Sequence, residues 1–348
     1  MGYFRENIEK LAGYVPGFQP ANKNVVKLNT NENPYPPSKE VLAVLVDFAA
    51  DNLRRYPDPA ANNFRTAAAE LNGLKPENIM CTNGGDELLN LAIRAFCDEK
   101  RAVAYPTPTY SLYPVLAAMQ NCQAIEIPFD DECNLPSKLS KTGAALTIIC
   151  NPNAPTATAV RIDELASLAA EIKGVLLLDE AYADFAEENC VELVKKFDNV
   201  IILRSMSKGY SLAGLRFGYA MAHESLIDGL MKVKDSYNVG AIAIAAATAA
   251  LKDQQYHRAN IEKVKQSRRK LIDELSGMGF EVGKSFANFV FARCKSCNAG
   301  EIYAKLVSRD IYVRYFKLPG LEDKLRITVG TEQQNAKLIE ALKQILAD

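Results

Sequence analysis

One lysine in this chain stands where a carbonyl-capturing amine is wanted. Residues Val200–Met221 read VIILRSMSKGYSLAGLRFGYAM. An apolar run of β character delivers a polar turn holding Ser205, Ser207 and Lys208. A glycine-softened loop follows, and Arg216 precedes a second apolar run from Phe217. A lysine adds to a carbonyl only through its neutral amine, and desolvation with a nearby cation pushes its pKa toward that form. Arg216 supplies such a charge, and its planar fork equally suits a phosphate. The two serines offer short hydroxyl donors to the same anion. Taken alone, Ser-x-Ser-Lys is a common solvated turn, so the rest of the chain must supply the reasons.

Other polar clusters also end apolar runs. Asp179 closes Val175-Leu176-Leu177-Leu178 and is followed by Glu180, Ala181 and Tyr182. A carboxylate at the lip of a buried strand costs several kcal/mol unless a cation or donor meets it; the alternative is that Asp179 caps a turn. Cys150-Asn151-Pro152-Asn153-Ala154-Pro155-Thr156 closes another run. Gly84, Gly85 and Asp86 open a helix, which reads either as an anion cradle of unpaired N–H groups or as a plain glycine turn. Asn29–Pro37, which contains Asn31, reads by its residues as a surface loop capping the helix that Ser38 begins. Arg54–Pro59 is a rigid loop carrying Tyr56. Arg314 and Arg326 sit beside strands near the C-terminus, as surface ion pairs or as joint readers of an acidic substrate.

Composition excludes much. With 41 basic and 42 acidic side chains in 348 residues the net charge is −1, which selects for neither nucleic acid nor a membrane surface. No run approaches the ~18 apolar residues of a membrane span, and the N-terminus lacks a signal-like apolar stretch, so a cytoplasmic protein is expected. Two histidines, His223 and His257, lie outside any motif, which argues against a Ser-His-Asp triad or a histidine-rich metal centre. An amine would then carry the proton. Eight cysteines are mostly dispersed through apolar runs, as buried hydrophobes in a reducing compartment; Cys294 and Cys297 alone have metal-like spacing, without partners, and no metal is expected. Gly283-Lys284-Ser285 lacks the first glycine of a phosphate loop, and no G-x-G-x-x-G occurs.

The elements that must position these groups follow from periodicity. Residues 1–25 form an extended arm. Helices are expected at 38–50, 62–73 and from Asp86 to Cys97. Short apolar strands then alternate with helices: Arg101–Tyr105, Gln123–Pro128, Ala145–Cys150, Gly174–Asp179 and Val200–Leu203. Several are apolar without alternation, the mark of strands covered on both faces, and βα alternation gives a mainly parallel sheet with ligands at its carboxyl edge. Beyond His223 come long helices and a smaller α/β unit with strands at Phe280–Val282, Asn288–Ala292, Ile311–Val313 and Leu325–Val329. The fold class is α/β, divided as arm 1–25, large domain 26–240 and small C-terminal domain 241–348.

LNTNENPYPPS, RRYPDP, NGGDELL, PTYSLYP, NPNAPT, DEAYADF, RSMSKGYSLAGLRFGY and LRITVGT occur in that order over nearly the whole chain. In these motifs the chain resembles the fold-type I pyridoxal-phosphate aminotransferases, in their histidinol-phosphate aminotransferase branch. The resemblance implies a seven-stranded, mainly parallel sheet and pyridoxal 5'-phosphate as cofactor. It implies that Lys208 joins the cofactor's aldehyde and later carries a proton, that Asp179 pairs with the ring nitrogen, that Tyr182 reaches the ring hydroxyl and that Tyr110 stacks on the ring. Gly85, Asp86, Ser205, Ser207 and Arg216 would hold the cofactor phosphate, with Tyr56 reaching over from the second subunit of a homodimer. Arg326 would hold the carboxylate of glutamate or 2-oxoglutarate; Tyr14, Asn31 and Arg314 would contact histidinol phosphate. Two departures stand out: Ala154 replaces an asparagine that meets the ring hydroxyl, leaving Tyr182, Asn151 or Asn153 to compensate, and Ala157 replaces a glycine. Aromatic amino acid aminotransferases and threonine-phosphate decarboxylases share the scaffold, as would a silent ligand-binding protein.

Overall fold

The computed structural model describes residues 2–22, 24–130, 133–295 and 297–347. Seven short strands form the central sheet: β1 (Ile79–Thr82), β2 (Val103–Thr107), β3 (Ala124–Pro128), β4 (Leu146–Cys150), β5 (Val175–Asp179), β6 (Val200–Ser205) and β7 (Gly218–Ala222). Side by side they run β1-β7-β6-β5-β4-β2-β3. β7 alone is antiparallel to its neighbours.

Unbroken apolar runs are required because both faces are covered. Ile148, Leu177 and Ile201 face one core, while Ile149, Leu176, Leu178 and Ile202 face the other. The helix Gly85–Phe96 packs its leucines into the first; the helices Asn62–Asn72 and Ala241–Lys252 pack into the second. Register matters for function. Cys150 pairs with Asp179, and Asp179 with Leu203, so β4 and β5 end level, β6 runs two residues further, and their polar tails emerge at one edge.

The C-terminal unit is a four-stranded antiparallel sheet of β8 (Phe280–Val282), β9 (Phe289–Cys294), β10 (Arg314–Tyr315) and β11 (Lys324–Thr328), in the order β10-β11-β9-β8. The expected strand Ile311–Val313 is divided. Ile311–Tyr312 pairs with Val26–Lys27, and the chain then crosses to put Arg314–Tyr315 on β11. The N-terminal segment is thereby joined to the C-terminal unit.

Three expectations change. β1 replaces what reads as a plain entry to a helix, since four residues are too few to show a period. The helix Ala241–Lys252, expected with the small domain, buries Ile244, Ala246 and Ala247 in the core shared with Val41 and Phe64, on the seven-stranded unit. Cys294 and Cys297 form a disulfide rather than two free thiols, with Cα atoms 5.6 Å apart. Among the described residues no helix is long and apolar enough to cross a membrane.

Candidate active site

β6 ends at Ser205 and the chain turns at once, so Lys208 sits at the carboxyl edge of the sheet. Its ammonium donates to the Thr30 carbonyl at 3.0 Å and lies 6.0 Å from the Tyr182 ring centre. Burial, with the charges of Arg326 and Arg216 and against Glu32 and Asp86, brings its pKa down to about 8. A usable neutral fraction therefore exists just above neutrality. Gly209 follows because a Cβ there would run into the Asp184 carboxylate. Asn33 donates its side-chain amide to the Lys208 carbonyl at 3.0 Å, fastening the turn from outside.

Asp179 is 4% exposed at the end of β5. Burial raises its pKa to about 6, opposed by two donors: the Tyr113 hydroxyl at 2.8 Å and the Ala181 N–H at 3.2 Å. No cation meets it in the hydrogen-bond or ion-pair sense among the described residues, so its second interest is a positive group arriving in the cleft. Tyr182, three residues on, is buried against Phe289 with its hydroxyl accepting from the Asn31 amide at 2.9 Å. Burial pushes this phenol up to about 12.

A place for an anion lies at the N-terminus of the twelve-residue helix Gly85–Phe96. Gly84 has φ +81°, and a Cβ on it would meet Arg216 Nη2 at 2.6 Å; one on Gly218 would meet the Gly84 carbonyl carbon at 2.8 Å. Both positions must lack side chains for Arg216 and β7 to come this close. Arg216 pairs with Asp86 at 3.2 Å and reaches Ser207 Oγ at 3.5 Å, while the Ser207 N–H donates to Ser205 Oγ at 3.2 Å. Backbone donors, two hydroxyls and one guanidinium thus meet at a single point, a phosphate-type set.

Across the cleft stand Arg314 and Arg326, directly opposed in the β10–β11 register. Arg326 donates from Nη2 to the Asn29 carbonyl at 2.9 Å, but its buried Nε has no partner. Burial lowers its pKa, as does Arg314. Two like charges side by side with a spare donor favour an anionic ligand. The arm supplies the remaining wall: Tyr14 lies edge-on to Tyr110 with centroids 5.9 Å apart, and Arg5 and Asn7 donate to the last carbonyls of the helix Leu112–Gln120.

All these groups line one cleft of about 900 Å³: Lys208, Asp179, Tyr182, Tyr110, Gly85, Asp86, Ser205, Ser207, Arg216, Tyr14, Asn31, Arg314 and Arg326. Of the sequence-derived candidates only Tyr56 is elsewhere, 80% exposed and stacked on Tyr237 at 4.4 Å. The Asn29–Pro37 loop is not a surface cap. Asn29 and Asn31 are buried, Ser38 makes no side-chain cap, and the loop forms a wall of the cleft. Tyr113 was not among the candidates; its spacing three residues after Tyr110 on a helix entry was the available signal. Asn151 and Asn153 do not fill the space beside Ala154. Asn151 exchanges hydrogen bonds with the Val160 backbone, and Asn153 braces Pro108, Thr109 and Thr156.

Residues 23–342 match the family model for aminotransferase class I and II. Histidinol-phosphate aminotransferase 1 of Trichormus variabilis is 48% identical over 99% of this chain and 99% of its own length. Among solved structures, histidinol-phosphate aminotransferase from Clostridium acetobutylicum superposes with a TM-score of 0.85 at 26% identity, covering 92% of this chain and 98% of that one. The Sinorhizobium meliloti histidinol-phosphate aminotransferase, in complex with pyridoxal-5'-phosphate, gives a TM-score of 0.90 at 24% identity over 100% and 98% of the two chains, a likeness of fold.

Proposed function

Because this chain belongs to the class I and II aminotransferases, we propose that it transfers an amino group from L-histidinol phosphate to 2-oxoglutarate, giving imidazole acetol phosphate and L-glutamate in histidine biosynthesis. The observation carrying this reading is that Lys208, Asp179 and the unpartnered Arg326 Nε belong to one cleft. The curated relative bearing that activity in its name supports the choice of substrate.

Pyridoxal 5'-phosphate fits the residues present. A phosphate matches the side-chain-free cradle of Gly84 and Gly85 with Ser205, Ser207 and Arg216; an aromatic ring matches Tyr110; a protonated ring nitrogen matches the buried Asp179. When bound, this cofactor supplies an aldehyde and an electron-withdrawing ring that stabilises negative charge on the substrate carbon. The protein's part is positioning and proton management. Lys208 offers a neutral amine and then holds the proton moved at the substrate carbon. Asp179 fixes positive charge at the ring nitrogen, in a site dry enough for that charge to count. Tyr182 donates toward the ring hydroxyl.

Arg326 takes the carboxylate of 2-oxoglutarate, and with Arg314 and Tyr14 takes the phosphate of the amino donor, so one cationic wall serves both substrates in turn. Tyr56, exposed on its own subunit, reaches the cofactor phosphate of a second copy in a homodimer. We place the arm at residues 1–25 and the small domain after Asp253 rather than from 241, as the packing of Ala241–Lys252 supports. The test compares initial rates on histidinol phosphate, phenylalanine and threonine phosphate with 2-oxoglutarate as acceptor. Histidinol phosphate should be fastest with glutamate formed; absence of its turnover would end the substrate assignment.

A further inference from the structure

Ala154 lines the cleft without any polar group, yet the Tyr182 hydroxyl in the same cleft does not go unserved. Among the described residues, Asn31 is the one side chain that hydrogen-bonds this hydroxyl, at 2.9 Å from its Nδ2. Asn31 itself is held with unusual completeness. It is 1% exposed and adopts φ 55°, a left-handed conformation that asparagine tolerates better than most residues. Its N–H donates to Thr328 Oγ1 at 3.0 Å, its Oδ1 accepts from that same hydroxyl at 3.1 Å, and its carbonyl accepts from Asn288 Nδ2 at 2.9 Å.

The pattern fixes the direction of each proton. Thr328 has one O–H; since its oxygen already accepts from the Asn31 backbone, that O–H is given to Asn31 Oδ1. The amide is thereby held with its oxygen toward Thr328 and its NH₂ toward Tyr182. A phenol that accepts from an NH₂ group has its own O–H free for another acceptor. That other acceptor has to come from the cleft.

We propose that Asn31 is a positioning residue acting through Tyr182: clamped by Thr328 and Asn288, it directs the phenol's proton at the ring hydroxyl of the bound cofactor, a role that Ala154 cannot share. The proposal rests on the assignment of this cleft to pyridoxal phosphate. It also ties the aim of Tyr182 to the substrate side, because Thr328 lies two residues beyond Arg326 on β11.

A donor aimed at the ring oxygen favours its anionic form and so lowers the pH at which the lysine-bound cofactor loses its proton; loss of that donor raises it. The experiment is a pH titration of the visible absorbance of the cofactor-loaded protein. Asn31→Ala should raise the midpoint by about one pH unit, a tenfold change in proton affinity. Asn31→Asp should raise it at least as far, since a carboxylate would draw the phenol's proton to itself. Thr328→Val, which frees the amide to rotate, should move it the same way by less and serves if Asn31→Ala does not fold. In a Tyr182→Phe background Asn31→Ala should add nothing. Unchanged midpoints in Asn31→Asp and Thr328→Val, with only thermal stability lost, would overturn the proposal and leave Asn31 as packing. A wild-type protein with no visible band at all would overturn the cofactor assignment first, before any substitution is made.

Discussion

The two walls of the cleft are built in opposite ways. The sheet-edge wall, with Asp179, Ser205, Ser207, Lys208 and the Gly85 helix start, comes from segments that meet one edge of the sheet because parallel strands pair in register. The facing wall is assembled from the arm, the Asn29–Pro37 loop and β10–β11, joined by hydrogen bonds spanning 297 residues, such as Arg326 to the Asn29 carbonyl. One wall is set by backbone geometry; the other exists only when distant parts of the chain meet. This implies a division of labour: the stiff side meets the cofactor's phosphate and ring nitrogen, while the composite side reads the substrates and, through Asn31, steers Tyr182.

Substitutions on each wall should therefore fail differently. Lys208→Ala should abolish transamination, measured as glutamate formation, while equilibrium dialysis still finds bound cofactor, because the phosphate cradle is untouched. Asp179→Asn should cost several orders of magnitude in kcat, as the ring nitrogen loses its counter-charge in a dry site; a rate near wild type would place the cofactor elsewhere. Arg326→Gln should leave the cofactor bound and lower kcat/KM for 2-oxoglutarate about a hundredfold or more, the usual cost of removing one partner of a buried charge pair. Loss of bound cofactor in Arg326→Gln, measured by equilibrium dialysis, would erase the division between the walls.

The smallest effect concerns the cofactor-free protein. Burial raises the Asp179 pKa from 3.8 to about 6. Between those values the folded state binds more protons than the unfolded state, so stability falls as pH rises through the window, and the full cost is present above pH 6. Asparagine carries no such charge. Apo Asp179→Asn should thus exceed apo wild type by about 2–3 kcal/mol at pH 7–8, a rise of a few degrees in Tm, with the gap closing below pH ~4. Calorimetry at both pH values checks the sign.

The same contrast explains what the sequence disclosed. Asp179 and Lys208 were legible because they end or closely follow apolar runs, and run ends in a parallel sheet share an edge, whereas the role of Tyr182 was legible only through the family resemblance. The Asn29–Pro37 loop was misleading: proline and asparagine are the residues of exposed turns, and nothing local says that Thr328 and Asn288 will bury Asn31. Tyr113 was missed for a similar reason, since an apolar-helix tyrosine looks like core until Asp179 appears 2.8 Å from its hydroxyl. β1 was too short to announce itself, and the docking of Arg5 and Asn7 on the helix Leu112–Gln120 is a meeting of ordinary surface residues.

Borohydride reduction of the protein loaded with pyridoxal phosphate, followed by peptide mass mapping, asks most directly whether Lys208 is the amine around which the cleft is built. The cofactor should be found fixed to Lys208 alone, and prior addition of histidinol phosphate should prevent the labelling. A label on any other lysine, or none, would contradict the account.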